Sequence, residues 1–131
     1  MKPHEAWLGK SRNDLESARR LIEGENPLTD TAIYHTQQCA EKALKAFLNY
    51  RGLGTVKTHD LRVLVEHAME KDSGFTSVYE DALSLNPFST AYRYPDIIFN
   101  PKIEEVREAI QAALRIFDFV STRISSGLFE R

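Results

Sequence analysis

The sequence predicts an all-α protein, a bundle of about five helices that forms a single domain over residues 1–131. Two features of the sequence carry this prediction. Apolar residues recur at alternating steps of three and four in several segments, which is the spacing of one face of an α-helix. No segment shows the regular alternation of apolar and polar residues that a half-buried strand requires. We therefore expect the first, second and fifth helices to build the core.

The first helix is predicted over residues 4–23. Trp7, Leu15 and Ile22 belong to one apolar stripe at helical spacing, and this is the face that we expect to be buried. Gly24 follows the stripe and a proline comes three residues later, so the helix is expected to end there.

The second helix is expected to begin after Thr29 or Asp30, because either side chain can accept hydrogen bonds from the free amides of a helix start. It should run to about Arg51 and be broken by Gly52 and Gly54. Its buried stripe is expected to consist of Ile33, Gln37, Ala40, Ala43, Leu44, Phe47 and Leu48.

Two shorter helices are predicted next. Thr58 is the expected cap of a third helix over residues 59–71, and a fourth helix is expected over residues 76–85. Their inward-facing residues are expected to be Leu61, Leu64, Val65 and Ala68 in the third helix, and Val78, Tyr79, Ala82 and Leu83 in the fourth.

A loop and one long helix are predicted for the rest of the chain. Residues 85–96 contain two prolines and no helical period, so we expect an ordered loop. Asn100 and Pro101 then resemble a helix start, with a capping residue before a proline in the first helical position. A closing helix of more than twenty residues follows, with an apolar stripe of Ile103, Val106, Ile110, Ala113, Phe117, Val120 and Ile124.

The bulk composition restricts the kinds of function. The formal net charge is -2, so no overall positive field attracts nucleic acid, and any nucleic-acid site must be local. Cys39 is the one cysteine, which excludes an intrachain disulfide. No signal-peptide core or apolar run of membrane-spanning length occurs, so we expect a cytoplasmic protein without a membrane partner.

The polar face of helix two is the first candidate site. Lysines, an amide and an imidazole in one row can hold a phosphate and contact the edge of a base. The alternative is a solvated helix face on which Glu41 pairs with Lys45 at four-residue spacing, as on many protein surfaces. The members of the row are His35, Gln38, Lys42, Lys45 and Asn49.

The segment Lys57–Leu61 is the second candidate. His59 opens a predicted helix, where free backbone amides favour anions, and Asp60 could orient its ring. The alternative is a purely structural turn in which Thr58 and Asp60 serve as the cap and the first-turn acid.

The loop before the last helix is the third candidate. Arg93 stands between Tyr92 and Tyr94, so the arginine could hold a phosphate while the rings stack on a base. Alternatively the tyrosines close the end of the bundle, and Arg93 pairs with Asp96 or Asp60.

The sequence contains no pattern that is typical of a metal or cofactor site. The four histidines, at positions 4, 35, 59 and 67, lack the spacing of metal ligands. No glycine-rich phosphate loop or nucleophile elbow is present. Cys39 falls in the middle of helix two near its buried side, so we expect an unreactive thiol and no cofactor.

Three segments together resemble the HEPN family (higher eukaryotes and prokaryotes nucleotide-binding domains). These are AIYHTQQCAEKALKAFL at 32–48, KTHDL at 57–61 and YRYPD at 92–96, and the resemblance extends from about residue 5 to 125. It implies an up-and-down helical bundle, a homodimer, a prokaryotic source and a nucleotide or RNA ligand. It also implies a toxin–antitoxin arrangement with a minimal nucleotidyltransferase as partner.

Many members of this family are metal-independent endoribonucleases with an arginine followed, after four to six residues, by a histidine. Arg62 and His67 match that spacing, but on a helix five residues turn the two side chains about 140° apart. Arg93 has no histidine after it, so the sequence departs from the nuclease pattern there.

The leading hypothesis is a dimer that binds a nucleotide, RNA or a nucleotidyltransferase. Lys42, Lys45, His59 and Arg93 are then expected to face an anion, and Lys42, His59 and Arg93 to share one site. One alternative is an endoribonuclease with His59 or His67 as the base and Arg93 or Arg62 on the phosphate. Another is a dimeric assembly module without catalysis.

Overall fold

Helices make up most of the described part of the chain, residues 1–89 and 100–127 of a computed structural model, and these ranges contain no strand. The predicted all-α class is therefore confirmed. None of its helices is long and apolar enough to cross a membrane. The helices that lie wholly within these ranges are α1 (Pro3–Leu21), α2 (Thr29–Tyr50), α3 (Leu61–Lys71), a 3-10 helix (Ser73–Val78), α4 (Tyr79–Leu85) and α5 (Ile103–Gly127).

Helix α2 is the centre of the bundle, since α1, α3, α4 and α5 all pack against it. Its predicted stripe is buried without exception, from Ile33 to Leu48. The stripe of α5 is buried from Val106 to Ile124, because its apolar residues recur on one face of the helix, whereas Ile103 at the helix start is only half-buried. Most of the core therefore lies where helical periodicity predicts it, but four residues that were expected to be buried or to face inward are only half-buried: Trp7, Ile22, Tyr79 and Leu83.

The turn into α3 differs from the prediction. Asp60, and not Thr58, caps this helix: its carboxylate accepts a hydrogen bond from the backbone N–H of Arg62 at 2.9 Å. The Thr58 hydroxyl instead accepts from the N–H of Asp60 at 3.1 Å. Thr58 thus stabilises the turn before the helix, and α3 begins at Leu61, two residues later than predicted.

The start of α5 was also predicted two residues early. The carbonyl of Lys102 accepts the first helical hydrogen bond, from the N–H of Val106 at 3.1 Å. The Glu105 carboxylate accepts from the N–H of Lys102 at 3.1 Å, which is half of a capping box. This bond sets the helix start after Pro101, which is buried and precedes the helix.

The segment predicted as the fourth helix consists of two elements. A 3-10 helix covers Ser73–Val78, and α4 follows it directly. Phe75 in the 3-10 helix is fully buried, with its ring centroid 4.4 Å from that of Phe47 and 4.6 Å from that of Phe119. Helical periodicity does not predict the burial of Phe75, because one aromatic residue in a short segment shows no period.

Candidate functional site

Part of the polar row of α2 is covered by other parts of the bundle. Gln38 is 9% exposed and Lys45 6% exposed, although both belong to the face opposite the apolar stripe. The ring of Trp7, from α1, lies with its centroid 5.4 Å from the Lys45 ammonium nitrogen. The alternative of a solvated helix face is therefore wrong for this part of the helix.

Glu41 is the buried centre of a polar network, which we call the Glu41 cluster (Gln37, Gln38, Glu41, Lys45 and His59). Its carboxylate accepts from Lys45 Nζ at 3.0 Å, and the two side chains are 4% and 7% exposed. The predicted Glu41–Lys45 pair is thus confirmed as a contact, but it lies inside the bundle and not on its surface. Gln37 and Gln38 donate to the same carboxylate at 3.3 and 3.5 Å.

His59 joins the Glu41 cluster through its ring. Nδ1 lies 3.0 Å from both carboxylate oxygens of Glu41. The backbone carbonyl of His59 accepts from Gln37 Nε2 at 3.2 Å, so main chain and ring are both held. The expectation that Asp60 orients this ring is wrong, because the Asp60 carboxylate is engaged by the N–H of Arg62 and by Asn86 Nδ2.

The outer side of His59 faces a cavity. The side chain is 56% exposed although its Nδ1 is bound to a buried carboxylate. The cavity measures about 480 Å³, and its described lining is His59, Asp60, Leu83, Asn86, Pro87 and Ser89. Asn86 is fixed in this wall because its Oδ1 accepts from the N–H of Leu61 at 2.8 Å. A partly exposed and firmly oriented imidazole therefore borders a space large enough for a small ligand.

A second buried carboxylate holds the other end of the polar row. Asp14, from α1, is 7% exposed and accepts from Lys42 Nζ at 2.7 Å and His35 Nδ1 at 2.7 Å. This Asp14 cluster (Asp14, His35 and Lys42) ties α1 to α2. Among the described residues no hydrogen bond or ion pair joins it to the Glu41 cluster.

The residues that the sequence grouped are thus divided between two clusters. His35 and Lys42 belong to Asp14, whereas Gln38, Lys45 and His59 belong to Glu41. Arg93, Tyr92 and Tyr94 lie outside the described residues. The expectation that Lys42, His59 and Arg93 share one site therefore stays a prediction.

The two carboxylates that organise these clusters escaped the sequence analysis as site residues. Both carry a signal in the sequence, however. Asp14 lies three residues after buried Ser11, and Glu41 four after buried Gln37, so each acid falls on the buried side of its helix. An acidic residue on the same face of a helix as the apolar stripe is expected to be buried and to need a buried hydrogen-bond or ion-pair partner. Helical spacing does not identify that partner.

The Arg62–His67 pair lies on α3, as predicted. Arg62 is exposed and His67 is half-buried, and their positions five residues apart put them on different sides of the helix. Neither residue lines the cavity beside His59. Within the described ranges no group of three His, Cys, Asp or Glu side chains could hold a metal ion.

Cys39 is buried in α2, and its burial raises the pKa of its thiol to about 12. The thiolate is the reactive form, so we expect the folded protein to react very slowly with thiol reagents up to about pH 9. Labelling should become rapid when the protein is unfolded, because the thiol of an unfolded chain has a pKa of about 8.5. Time courses with a maleimide, with and without denaturant, measure this difference.

The control for this labelling is Cys39→Ser, which should not react at all. Labelling of the native protein at neutral pH as fast as in denaturant would show that the thiol is accessible. That outcome would contradict the packing of α1 on α2, where the Ser11 hydroxyl donates to the Cys39 carbonyl at 2.7 Å.

Comparisons with known proteins agree with this architecture. A family model described as the HEPN domain matches residues 4–124. The crystal structure of an archaeal HEPN homologue is 28% identical, with a TM-score of 0.73, and the match covers 95% of this chain and 99% of that one. A crystal structure from Thermus thermophilus is 27% identical, with a TM-score of 0.79 and coverage of 93% and 98%. No curated protein matches the chain.

Proposed function

This chain belongs to the HEPN domain family, and on that premise we propose that it binds a nucleotide or RNA through the cavity beside His59. The single observation that supports this proposal is the arrangement of His59. Its side chain is 56% exposed, yet its ring is held by a carboxylate that is only 4% exposed. Exposed side chains rarely have such fixed orientations, since ordering them costs conformational entropy.

The buried charges of the Glu41 cluster strengthen the argument. Removing Glu41 and Lys45 from water costs free energy that their attraction does not reliably return, so a buried ion pair is weak evidence for a stabilising role. A role in holding His59 explains the pair better. We therefore propose that Lys45 acts through Glu41, because its burial disfavours direct contact with a phosphate.

The loop residues Arg93 and Tyr94 retain the roles that the sequence suggests. We propose that Arg93 contacts a phosphate and that Tyr94 stacks on a base. Ser89, which lines the cavity, is the last described residue before the segment that contains them. The Asp14 cluster is proposed to be structural, since both of its cations are bound to one carboxylate.

Replacing His59 by alanine should weaken binding of single-stranded RNA about tenfold, the equivalent of one lost hydrogen bond of about 1.4 kcal/mol. Fluorescence anisotropy with a labelled oligonucleotide measures the affinity. Circular dichroism should show unchanged helical content, because the ring is mostly exposed.

His67→Ala is the matched control, since His67 lies on α3 and does not line the cavity. The affinity of the His67→Ala variant for the oligonucleotide should equal that of the parent protein. If the parent binds neither RNA nor nucleotides, or if His67→Ala alone weakens binding, the proposed site is wrong.

A second candidate function, metal-independent endoribonuclease, is favoured by the bond between Glu41 and His59. A carboxylate that orients an imidazole is an arrangement suited to general acid–base catalysis. His59 is then the base, and Arg93 or Arg62 stabilises the phosphate. RNA cleavage in EDTA that disappears in His59→Ala supports this candidate, whereas loss only in His67→Ala assigns cleavage to the Arg62–His67 pair.

We also propose a homodimer. Trp7 is half-buried and lines a largely apolar recess of about 400 Å³ with Pro3, Ala6 and Lys10, a surface that a second copy could cover. Light scattering at micromolar concentration should give twice the mass of the 15.0 kDa chain. A stable monomer under these conditions would exclude the dimer.

A minimal nucleotidyltransferase is the proposed protein partner, in a toxin–antitoxin arrangement. A gene for such an enzyme beside the gene for this chain, and co-purification of the two products, would support this role. Absence of any complex between the two purified proteins would count against it.

A further inference from the structure

The position of one hydrogen atom follows from the contacts of His59. A carboxylate can only accept hydrogen bonds, and Nδ1 of His59 lies 3.0 Å from both oxygens of Glu41. Nδ1 must therefore carry a hydrogen. In a neutral imidazole the other nitrogen, Nε2, is then a hydrogen-bond acceptor.

The Glu41 cluster already contains a balancing positive charge. Lys45 Nζ lies 3.0 Å from Oε2 of Glu41, and the two side chains are 7% and 4% exposed. The acid and the ammonium together carry no net charge. Trp7 covers the ammonium and separates it from water on one side. Glu41 therefore already has a counter-charge in Lys45, and its bond to His59 Nδ1 does not need a positively charged ring.

We infer that Glu41, balanced by Lys45, fixes the neutral ring of His59 with its hydrogen on Nδ1, so that Nε2 accepts a hydrogen bond from a hydroxyl or N–H group of the ligand. The identity of the ligand in this inference rests on the proposed function, whereas the position of the hydrogen rests on the contacts of the Glu41 cluster. It reverses the expectation that His59 faces an anion, because phosphodiester oxygens accept hydrogen bonds and cannot donate them.

The lining of the cavity agrees with a donor ligand. Its described residues include no lysine or arginine, and the one charged side chain among them is the carboxylate of Asp60. Sugar hydroxyls and base N–H groups are donors that suit such a wall, so a nucleoside moiety fits it better than a phosphate does. The phosphates of a bound nucleotide then lie beyond these residues.

Glu41 and Lys45 are positioning residues in this scheme, since neither lines the cavity. Gln37 supports them, because its amide donates both to Glu41 and to the backbone carbonyl of His59. Substituting Glu41 or Lys45 should change the tautomer and the orientation of the His59 ring. Ligand binding should change only as a result of that.

Long-range nitrogen–proton NMR correlations of the ¹⁵N-labelled full chain test the first half of the inference. The four histidines are assigned by single substitution, and the spectrum distinguishes the two neutral tautomers from the imidazolium. The spectrum is recorded at a pH high enough to populate the neutral ring, and there we expect a protonated Nδ1 and an unprotonated Nε2. A neutral ring with its hydrogen on Nε2 would overturn the inference.

Two variants separate positioning from general stability. Glu41→Gln combined with Lys45→Met removes both buried charges together, and His59 should then lose its tautomer preference. Glu70→Gln, at an exposed position on α3, should leave the His59 signals unchanged. An unaltered His59 spectrum in the folded double variant would show that Glu41 does not position the ring.

Two small probes test the second half. Adenosine supplies hydroxyl and N–H donors without a phosphate, whereas dimethyl phosphate supplies only acceptors. We expect adenosine to shift the Nε2 signal and dimethyl phosphate to leave it in place. The opposite pattern, or no shift with either probe, overturns the donor-ligand inference. Failure of RNA itself to bind overturns the proposed function, while the tautomer result stands independently.

Discussion

We expect Glu41→Ala to lower the free energy of unfolding by about 3–5 kcal/mol, because it leaves the Lys45 ammonium buried without its counter-charge. Both side chains are more than nine-tenths buried, so water cannot replace the lost partner without rearrangement. A domain of this kind is stable by about 5–15 kcal/mol in total, so the loss is a large fraction of its stability. Urea denaturation followed by circular dichroism measures it.

The double variant Glu41→Gln with Lys45→Met should recover most of that stability, since no unpaired charge remains buried. Glu16→Ala is a further control, because the pairs of Glu16 with Arg19 and Arg20 are largely exposed. Its expected effect is below about 1 kcal/mol. A similarly small loss in Glu41→Ala would mean that Lys45 reaches water easily, and the rigidity assigned to His59 would lose its basis.

We expect Phe75→Ala to cost about 3–5 kcal/mol through the cavity that it leaves in the core. Phe75 has no exposed surface, and its ring contacts those of Phe47 and Phe119 at centroid distances of 4.4 and 4.6 Å. The substitution removes these aromatic contacts together with the buried apolar area. Thermal and urea unfolding should both register the loss.

Phe75→Leu is the matched variant, since it keeps an apolar side chain of intermediate volume and should cost about 1–2 kcal/mol. Two results would contradict the packing of the 3-10 helix on the core. One is a larger loss of unfolding free energy in Phe75→Leu than in Phe75→Ala. The other is a loss in Phe75→Ala as small as that caused by alanine at an exposed residue such as Leu53.

Periodicity in the sequence was sufficient to predict the main helices and most of the core. The stripe of α2 and the stripe of α5 from Val106 onward are buried as expected, because the choice of buried face depends on the local order of apolar and polar residues. Helix starts were less predictable. Thr58 and Asp60 are both good caps, and the partners available to each, such as Asn86 for Asp60, decide between them.

The 3-10 helix shows a similar limit. Six residues with a single aromatic side chain carry no period, so their sequence cannot indicate that Phe75 is buried. Its burial depends on a space between α2 and α5 that exists only after those helices have packed.

By itself the sequence determined the helical class, the buried faces and the resemblance to HEPN domains, all of which depend on local spacing and short motifs. It also singled out His59, although it assigned the wrong partner to the ring. Only the tertiary structure decided that Lys45 is buried and that Glu41 holds His59. The physical reason is distance along the chain: Glu41 and His59 are 18 residues apart, and the path of the turn between α2 and α3 brings them together. Burial then determines what these charges do, because an ammonium covered by Trp7 balances an acid, whereas the same ammonium in water could bind a phosphate.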